Sequence, residues 1–261
     1  MDYQTLRYEQ QDKVVTVTLN DPDTRNAITN PVLLEEVISA LIRIQQDDGV
    51  SVCILTGAGK GFSSGGNIWD MLDEQKMFQG EPLQLQENYR KGIHRLTQLL
   101  YTFDKPTIAA VNGAAVGAGL DLALLCDLRI GSGKARFGST FINLALIPGD
   151  GGAWLLRKAV GPQRAAELVL SGRIIDADEA LEIGLILKKV RHEELLEHTM
   201  GLAQTLAEKS PDTLRIAKRL LRSADSLGYS EHLELCSANQ AMLHRTEHHK
   251  AALQAFIKTK N

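Results

Sequence analysis

Two glycine-rich segments constrain this chain more than any other feature. Gly61-Phe-Ser-Ser-Gly-Gly-Asn-Ile68 and Val111-Asn-Gly-Ala-Ala-Val-Gly-Ala-Gly-Leu-Asp121 each follow an apolar run and each put small residues where a helix should open. A strand, a small-residue turn and a helix in that order expose the first N–H groups of the helix. These have no intrahelical acceptor and lie at the positive pole of the helix dipole. Two of them aimed at one point can hold a developing oxyanion, and small side chains let a ligand approach.

The flanking sequence fits repeated strand and helix units. Lys13-Val-Val-Thr-Val-Thr-Leu19 alternates as a half-buried strand should, residues 21–26 supply turn chemistry, and Pro31 opens a helix with an apolar stripe through Ile44. Residues 50–56 form a β-branched run typical of a strand buried on both faces, 84–103 reads as one helix, and 107–111 is a second buried strand. Short strands are expected at 127–130 and 135–137, which makes the core α/β. Further on, helices are predicted over 162–170, 177–183, 193–208, 211–223 and 231–256. We divide the chain into a core, residues 1–192, and a helical C-terminal region, residues 193–261, with no linker between them.

Composition excludes several classes. Lys and Arg number 29 against 32 Asp and Glu, a net charge of −3, so nothing resembles a nucleic-acid footprint. Cys53, Cys126 and Cys236 lie in apolar runs without metal spacing, and we expect all three to be buried and reduced. Pro106, Asn112 and Asp121 interrupt the long uncharged stretch 106–126, which predicts a buried strand–turn–helix and no membrane span. The N-terminal residues carry neither a secretory nor a transit pattern, so a cytoplasmic protein is expected. Gly57-Ala-Gly-Lys-Gly-Phe62 fits no nucleotide loop, since Phe62 takes the third glycine position and no Gly-Lys-Ser/Thr closes it.

From residue 14 to residue 256 the order of motifs closely resembles the crotonase (enoyl-CoA hydratase/isomerase) superfamily. The resemblance implies a spiral of ββα repeats ending in a helical region that covers the site and packs in trimers. It implies an acyl-CoA thioester as substrate, with coenzyme A part of that substrate and no metal or separate cofactor. The backbone N–H groups of Gly66 and Ala118 become the oxyanion hole. Arg25, Ala27, Ser64, Asn67 and Ile68, together with Gly66, fall at positions that bind coenzyme A or the acyl group, as do Phe141 and, near the C-terminal end, Phe256.

Asp121 follows Ala118 by three residues, which returns it to the same helix face with its side chain leaning toward the helix N-terminus. The family commonly has Glu there as acid or base; the alternative is an acid that complements the helix dipole. Hydratases of the family carry a second Glu in Phe-Gly-x-Pro-Glu, whereas this chain reads Phe137-Gly-Ser-Thr-Phe141, and Phe141 can move no proton. Asp150, in Pro148-Gly-Asp-Gly-Gly152, resembles the extra base of dienoyl-CoA isomerases; the alternative is an N-cap for the next helix.

Asp121 and Asp150 are therefore the expected catalytic pair, suited to hydration or double-bond migration of an enoyl-CoA. Two rivals stand beside this: an acyl-CoA or aryl-CoA hydrolase or dehalogenase with Asp150 as nucleophile, and a non-catalytic CoA-ester-binding or RNA-associated protein. Trp69, Met71, Met77 and Phe78 suggest a segment that closes over an acyl chain, or simple packing. His244 and His248 read as a solvated helix face, with His249 pointing elsewhere. The apolar stripe of the C-terminal third predicts a homotrimer or a dimer of trimers.

Overall fold

The computed structural model describes residues 3–259. The chain opens with an antiparallel hairpin of β1 (Leu6–Gln11) and β2 (Val14–Leu19). Asn30 then caps α1 (Pro31–Gln46) by accepting from Val32 N, with Pro31 at the first helical position. The helix returns the chain to β3 (Val52–Gly57), parallel to β2, and β4 (Gly61–Ser63) departs into a second sheet.

That step repeats. After α2 (Ile68–Leu72), α3 (Pro82–Lys91) and α4 (Ile93–Thr102), β5 (Thr107–Val111) joins the first sheet and β6 (Ala114–Val116) the second. After α5 (Ala118–Leu125), β7 (Leu128–Ser132) and β8 (Arg136–Gly138) do the same. Then come α6 (Gly152–Ser171), β9 (Ile175–Asp176), α7 (Ala177–Glu182) and β10 (Lys188–Val190). The last segment is α8 (Leu195–Ala207), α9 (Pro211–Ser223), α10 (Tyr229–Leu243) and α11 (Glu247–Lys258). Strand pairs dealt alternately to two sheets, ordered β1-β2-β3-β5-β7-β10 and β4-β6-β8-β9, make the expected α/β spiral of ββα turns.

The two-residue period of the strands sorts the core. Val15, Val17 and Leu19 of β2 face the main cluster with Cys53 and Leu55, while Val14, Val52 and Ile54 face a second cluster with Leu195, Ala203 and Ala207 of α8. All six residues of β2 are consequently buried, where alternation alone predicts a half-buried strand. The two threonines of β2, Thr16 and Thr18, supply the polar alternation, yet α8 covers their face. Buried lysines key the C-terminal helices to this core. Lys105 Nζ donates to Ile44 O (2.6 Å) and Asp47 O (2.5 Å) at the end of α1, and Lys218 Nζ donates to Lys105 O (2.6 Å) and pairs with Asp127 (2.6 Å).

Three other expectations are corrected. The helix read over 84–103 is divided at Gly92, whose φ of −101° and ψ of −111° break the α geometry. The helix read over 231–256 is two, because the Thr246 side chain caps α11 by accepting from His249 N. Cys53 and Cys126 are buried, but Cys236 is only partly so.

Candidate active site

The two glycine-rich turns meet. A Cβ placed on Gly65, whose φ is +78°, would stand 2.7 Å from Ala118 N and 2.7 Å from Val116 O, so only glycine lets the first motif lie against the opening of α5. Gly119 in turn has no room for a side chain against Ser63 O. Neither Gly66 N–H nor Ala118 N–H is engaged by a backbone or side-chain acceptor. All eight residues of α5 are buried, so the helix that starts at Ala118 is held from every side.

Asn26 explains why the first turn keeps its shape. It is fully buried at φ +57°, and its Nδ2 donates to Ala58 O, Gly61 O and Phe62 O (3.0, 3.1 and 3.2 Å), while its Oδ1 accepts from Asp21 N (2.9 Å). Ser63 Oγ donates to Asn26 O (2.7 Å), Ser64 Oγ to Thr24 O (3.1 Å), and Ala27 forms an isolated parallel bridge with Gly65. Arg25, Ala27, Ser64 and Gly66 are thereby gathered on one ledge, with Arg25 exposed and Ala27 buried. Asn67 donates its N–H to Thr29 Oγ1 (3.0 Å) and caps α2, and Ile68 is exposed beside it. The Met71 methyl lies against the Gly66 Cα, filling the place of a side chain there, and Met77 packs on the core.

Asp121 is 1% exposed, and neither of its carboxylate oxygens has a hydrogen-bond partner. Burial, and then the charge of Asp150, hold its carboxyl well above the usual carboxylate range. It lies on Gly152 at the start of α6, where a Cβ would fall inside the Asp121 carboxyl group. Asp150 is also buried, and burial pushes it up to about 6, opposed by its own backbone N–H and the charge of His94. The N-cap of α6 is Gly151, at φ 96°, with no side-chain bond, so Asp150 is not the helix cap. Two neighbouring carboxyls with different proton affinities can act as an acid and a base at the same pH.

His94 and Tyr89 are absent from the sequence reading. His94 Nε2–H donates to Gly149 O (2.8 Å), tying α4 to the loop that carries Asp150. The Tyr89 ring stacks obliquely on His94, with centroids 5.9 Å apart, and borders Gly149. Burial and the charge of Asp150 push the Tyr89 phenol up. Both residues flank Gly92, which turns α3 and α4 so that they share one wall; the glycine between two helical periods was the available signal.

Phe141 is half-buried, its ring edge next to Gly117 immediately before Ala118. Phe256 is 60% exposed on α11, in a groove walled by residues of α9 to α11 and of the turn before α9, and by none from the 64–68 turn. His244 meets His249 rather than pointing away from it, Nδ1 to Nε2 at 3.1 Å. Among the described residues no three His, Cys, Asp or Glu side chains converge to hold a metal ion. No described helix is long and apolar enough to cross a membrane.

Residues 9–261 match the enoyl-CoA hydratase/isomerase family. The chain is 34% identical over 252 residues to the 2,3-dehydroadipyl-CoA hydratase of Escherichia coli, covering 97% of this chain and 95% of that protein. It is 34% identical over 258 residues to the short-chain-enoyl-CoA hydratase of Clostridium acetobutylicum, covering 98% and 96%. A crystal structure of enoyl-CoA hydratase from Bacillus anthracis superposes with a TM-score of 0.91 at 31% identity, covering 98% of this chain and 97% of that one.

Proposed function

The chain belongs to the enoyl-CoA hydratase/isomerase family, and from that premise we propose an enzyme that adds water to an enoyl-CoA or shifts its double bond. The observation that carries this reading is Asp121, buried without a partner one turn into the helix whose first N–H, that of Ala118, is unengaged. The thioester oxygen accepts from Gly66 and Ala118 N–H. Asp150, ionised above about pH 6, takes a proton from water as the water oxygen bonds to C3. The C2=C3 pair moves toward the thioester, giving an enolate on the oxyanion hole. Asp121, held protonated, delivers its proton to C2 as the enolate collapses.

In double-bond migration the same pair works without water: Asp150 removes a carbon-bound proton and Asp121 returns one at the other end of the allyl system. The relatives are named hydratases, which favours this acid–base chemistry over attack by Asp150 on the substrate and over a binding role without catalysis. We further propose that coenzyme A, carried by the substrate, lies along the ledge of Arg25, Ala27, Ser64 and Asn67 to Ile68, that Phe256 reaches it from the C-terminal region, and that no metal or redox cofactor takes part. Leu221, Tyr229, Phe256 and Ile257 are 58–78% exposed on α9 to α11, which supports assembly into a homotrimer or dimer of trimers. A cytoplasmic location remains part of the proposal.

Asp150→Asn tests the chemistry. Asn keeps the size of the side chain but takes up no proton, so the variant should fold and lose about a hundredfold in turnover of crotonyl-CoA, with matching loss of solvent deuterium at the acyl chain. Full activity with undiminished exchange would remove Asp150 from the mechanism.

A further inference from the structure

A cavity of about 670 Å³ opens beside Asp150 between α4 and the first turns of α6. Its position relative to α5 matters. Ala118 begins that helix, Asp121 lies one turn in, and Leu125, at the far end, lines the cavity together with Asp150 and Gly151. Seven residues at the helical rise separate Ala118 from Leu125 by roughly 10 Å, the reach of an extended chain of roughly eight carbons. A substrate whose thioester is held at Ala118 and whose C2 and C3 pass Asp121 and Asp150 therefore enters the cavity with the carbons beyond.

The walls are suited to hydrocarbon. Leu99 and Leu155 form the sides, and Tyr101 meets Trp154 edge-to-face at 5.5 Å. Three polar lining residues, Thr97, Thr102 and Arg95, spend side-chain donors on the protein. Thr97 Oγ1 donates to His94 O (3.1 Å) and Thr102 Oγ1 to Gln98 O (2.8 Å). The Arg95 guanidinium is engaged on both carboxylate oxygens of Glu35. What is offered to a ligand is chiefly methyl, methylene and ring surface. The space far exceeds what a four-carbon acyl group fills.

We propose that this cavity is the acyl subsite and that it selects an apolar enoyl-CoA of medium chain length, roughly eight to twelve carbons, over short-chain and carboxylate-ended substrates. The proposal rests on the reading of Gly66, Ala118, Asp121 and Asp150 given above. Each methylene moved from water into apolar contact favours the longer substrate about fourfold when fully buried. A cavity partly open to solvent recovers only part of this, so the six extra carbons of trans-2-decenoyl-CoA should raise kcat/KM at least about a hundredfold over crotonyl-CoA.

The test measures kcat/KM of the wild-type protein on crotonyl-CoA, trans-2-decenoyl-CoA and 2,3-dehydroadipyl-CoA. It is repeated for Thr97→Trp, which narrows the cavity, and Trp154→Ala, which removes a half-exposed wall. We expect decenoyl-CoA to lead in the wild type and the decenoyl-to-crotonyl ratio to fall about tenfold or more in both variants. Crotonyl-CoA equal to or better than decenoyl-CoA would overturn the proposal while leaving the enzymatic reading intact, as would dehydroadipyl-CoA outrunning decenoyl-CoA. A ratio unmoved in a folded variant would detach the cavity from the acyl chain. Inactivity on all three thioesters would overturn both readings. Should Thr97→Trp fail to fold, the wild-type series and Trp154→Ala decide the question.

Discussion

Gly152→Ala is a severe test of the site because it adds one methyl group and alters no functional group. The added Cβ would overlap the Asp121 carboxyl, which has no hydrogen bond to hold it. Either Asp121 swings off the line between Ala118 and Asp150 or the start of α6 lifts. Overpacking of this kind costs about 1–3 kcal/mol, and a displacement of about 1 Å at a reacting group costs about a hundredfold in rate. For a chain of this length, about 1 kcal/mol corresponds to a Tm change of about 2–4 °C. We expect Gly152→Ala to lower Tm by about 2–12 °C and kcat on an enoyl-CoA by about a hundredfold. The stability loss should largely vanish in an Asp121→Ala background, because the atoms that clash are then gone. Gly201→Ala is the control: no atom lies within 4 Å of its Cβ and it sits within α8, so this change should raise Tm slightly. Thermal melts and steady-state kinetics on the wild type, the three single variants and the double variant suffice. A Gly152→Ala protein with wild-type kcat, or a penalty unchanged in the Asp121→Ala background, would refute the placement of Asp121.

Activity should rise with pH through about 6 as Asp150 loses its proton, with kcat/KM reporting that limb, and Asp150→Asn should abolish it. The same group sets a stability trend. Its folded pKa is raised from 3.8, so the stability it contributes is present below the unfolded value and lost as pH rises through about 6; the Tm of Asp150→Asn relative to wild type should increase across that window. His94→Ala frees Gly149 O and removes the positive charge that lowers Asp150, so the acid limb should move to higher pH and kcat fall about tenfold. His94→Gln can donate to the same carbonyl and should restore rate without restoring the limb; a limb unmoved in His94→Ala would show that the imidazole exerts no field on Asp150. Light scattering should find a mass of three or six chains, and a monomer active at nanomolar concentration would contradict the assembly.

The motifs carried the site further than the periodicities carried the fold. Asp121 and Ala118 could be paired from spacing alone because one helical turn is a fixed geometry. The close approach of Gly65 to Ala118 became visible only in the fold. The burial of β2 on both faces was not legible, since Thr16 and Thr18 look like solvent-facing residues until α8 is laid over them. Nor was the role of His94 visible: a histidine in the first turn of α4 acquires its meaning from Gly149, whose carbonyl lies 55 residues further along the chain. The environment of Asp150 was hidden for the same reason, because a Gly-Asp-Gly sequence is equally suited to capping a helix or to pointing a carboxyl into a cavity.

The complete burial of α5 bears on how such an enzyme can diversify. Every position of that helix is committed to neighbours, so nearly all substitutions there are closed, and the thioester-polarising role proposed for Ala118 would be fixed with it. The walls beyond Leu125 belong to other helices, α4 and α6, whose side chains at Thr97, Leu99, Tyr101 and Trp154 face the cavity without touching Gly66 or Ala118 in sequence or in element. Substrate range can therefore be rewritten one helix face at a time while the reaction stays fixed, which makes those four positions the natural targets for a saturation library aimed at new acyl groups.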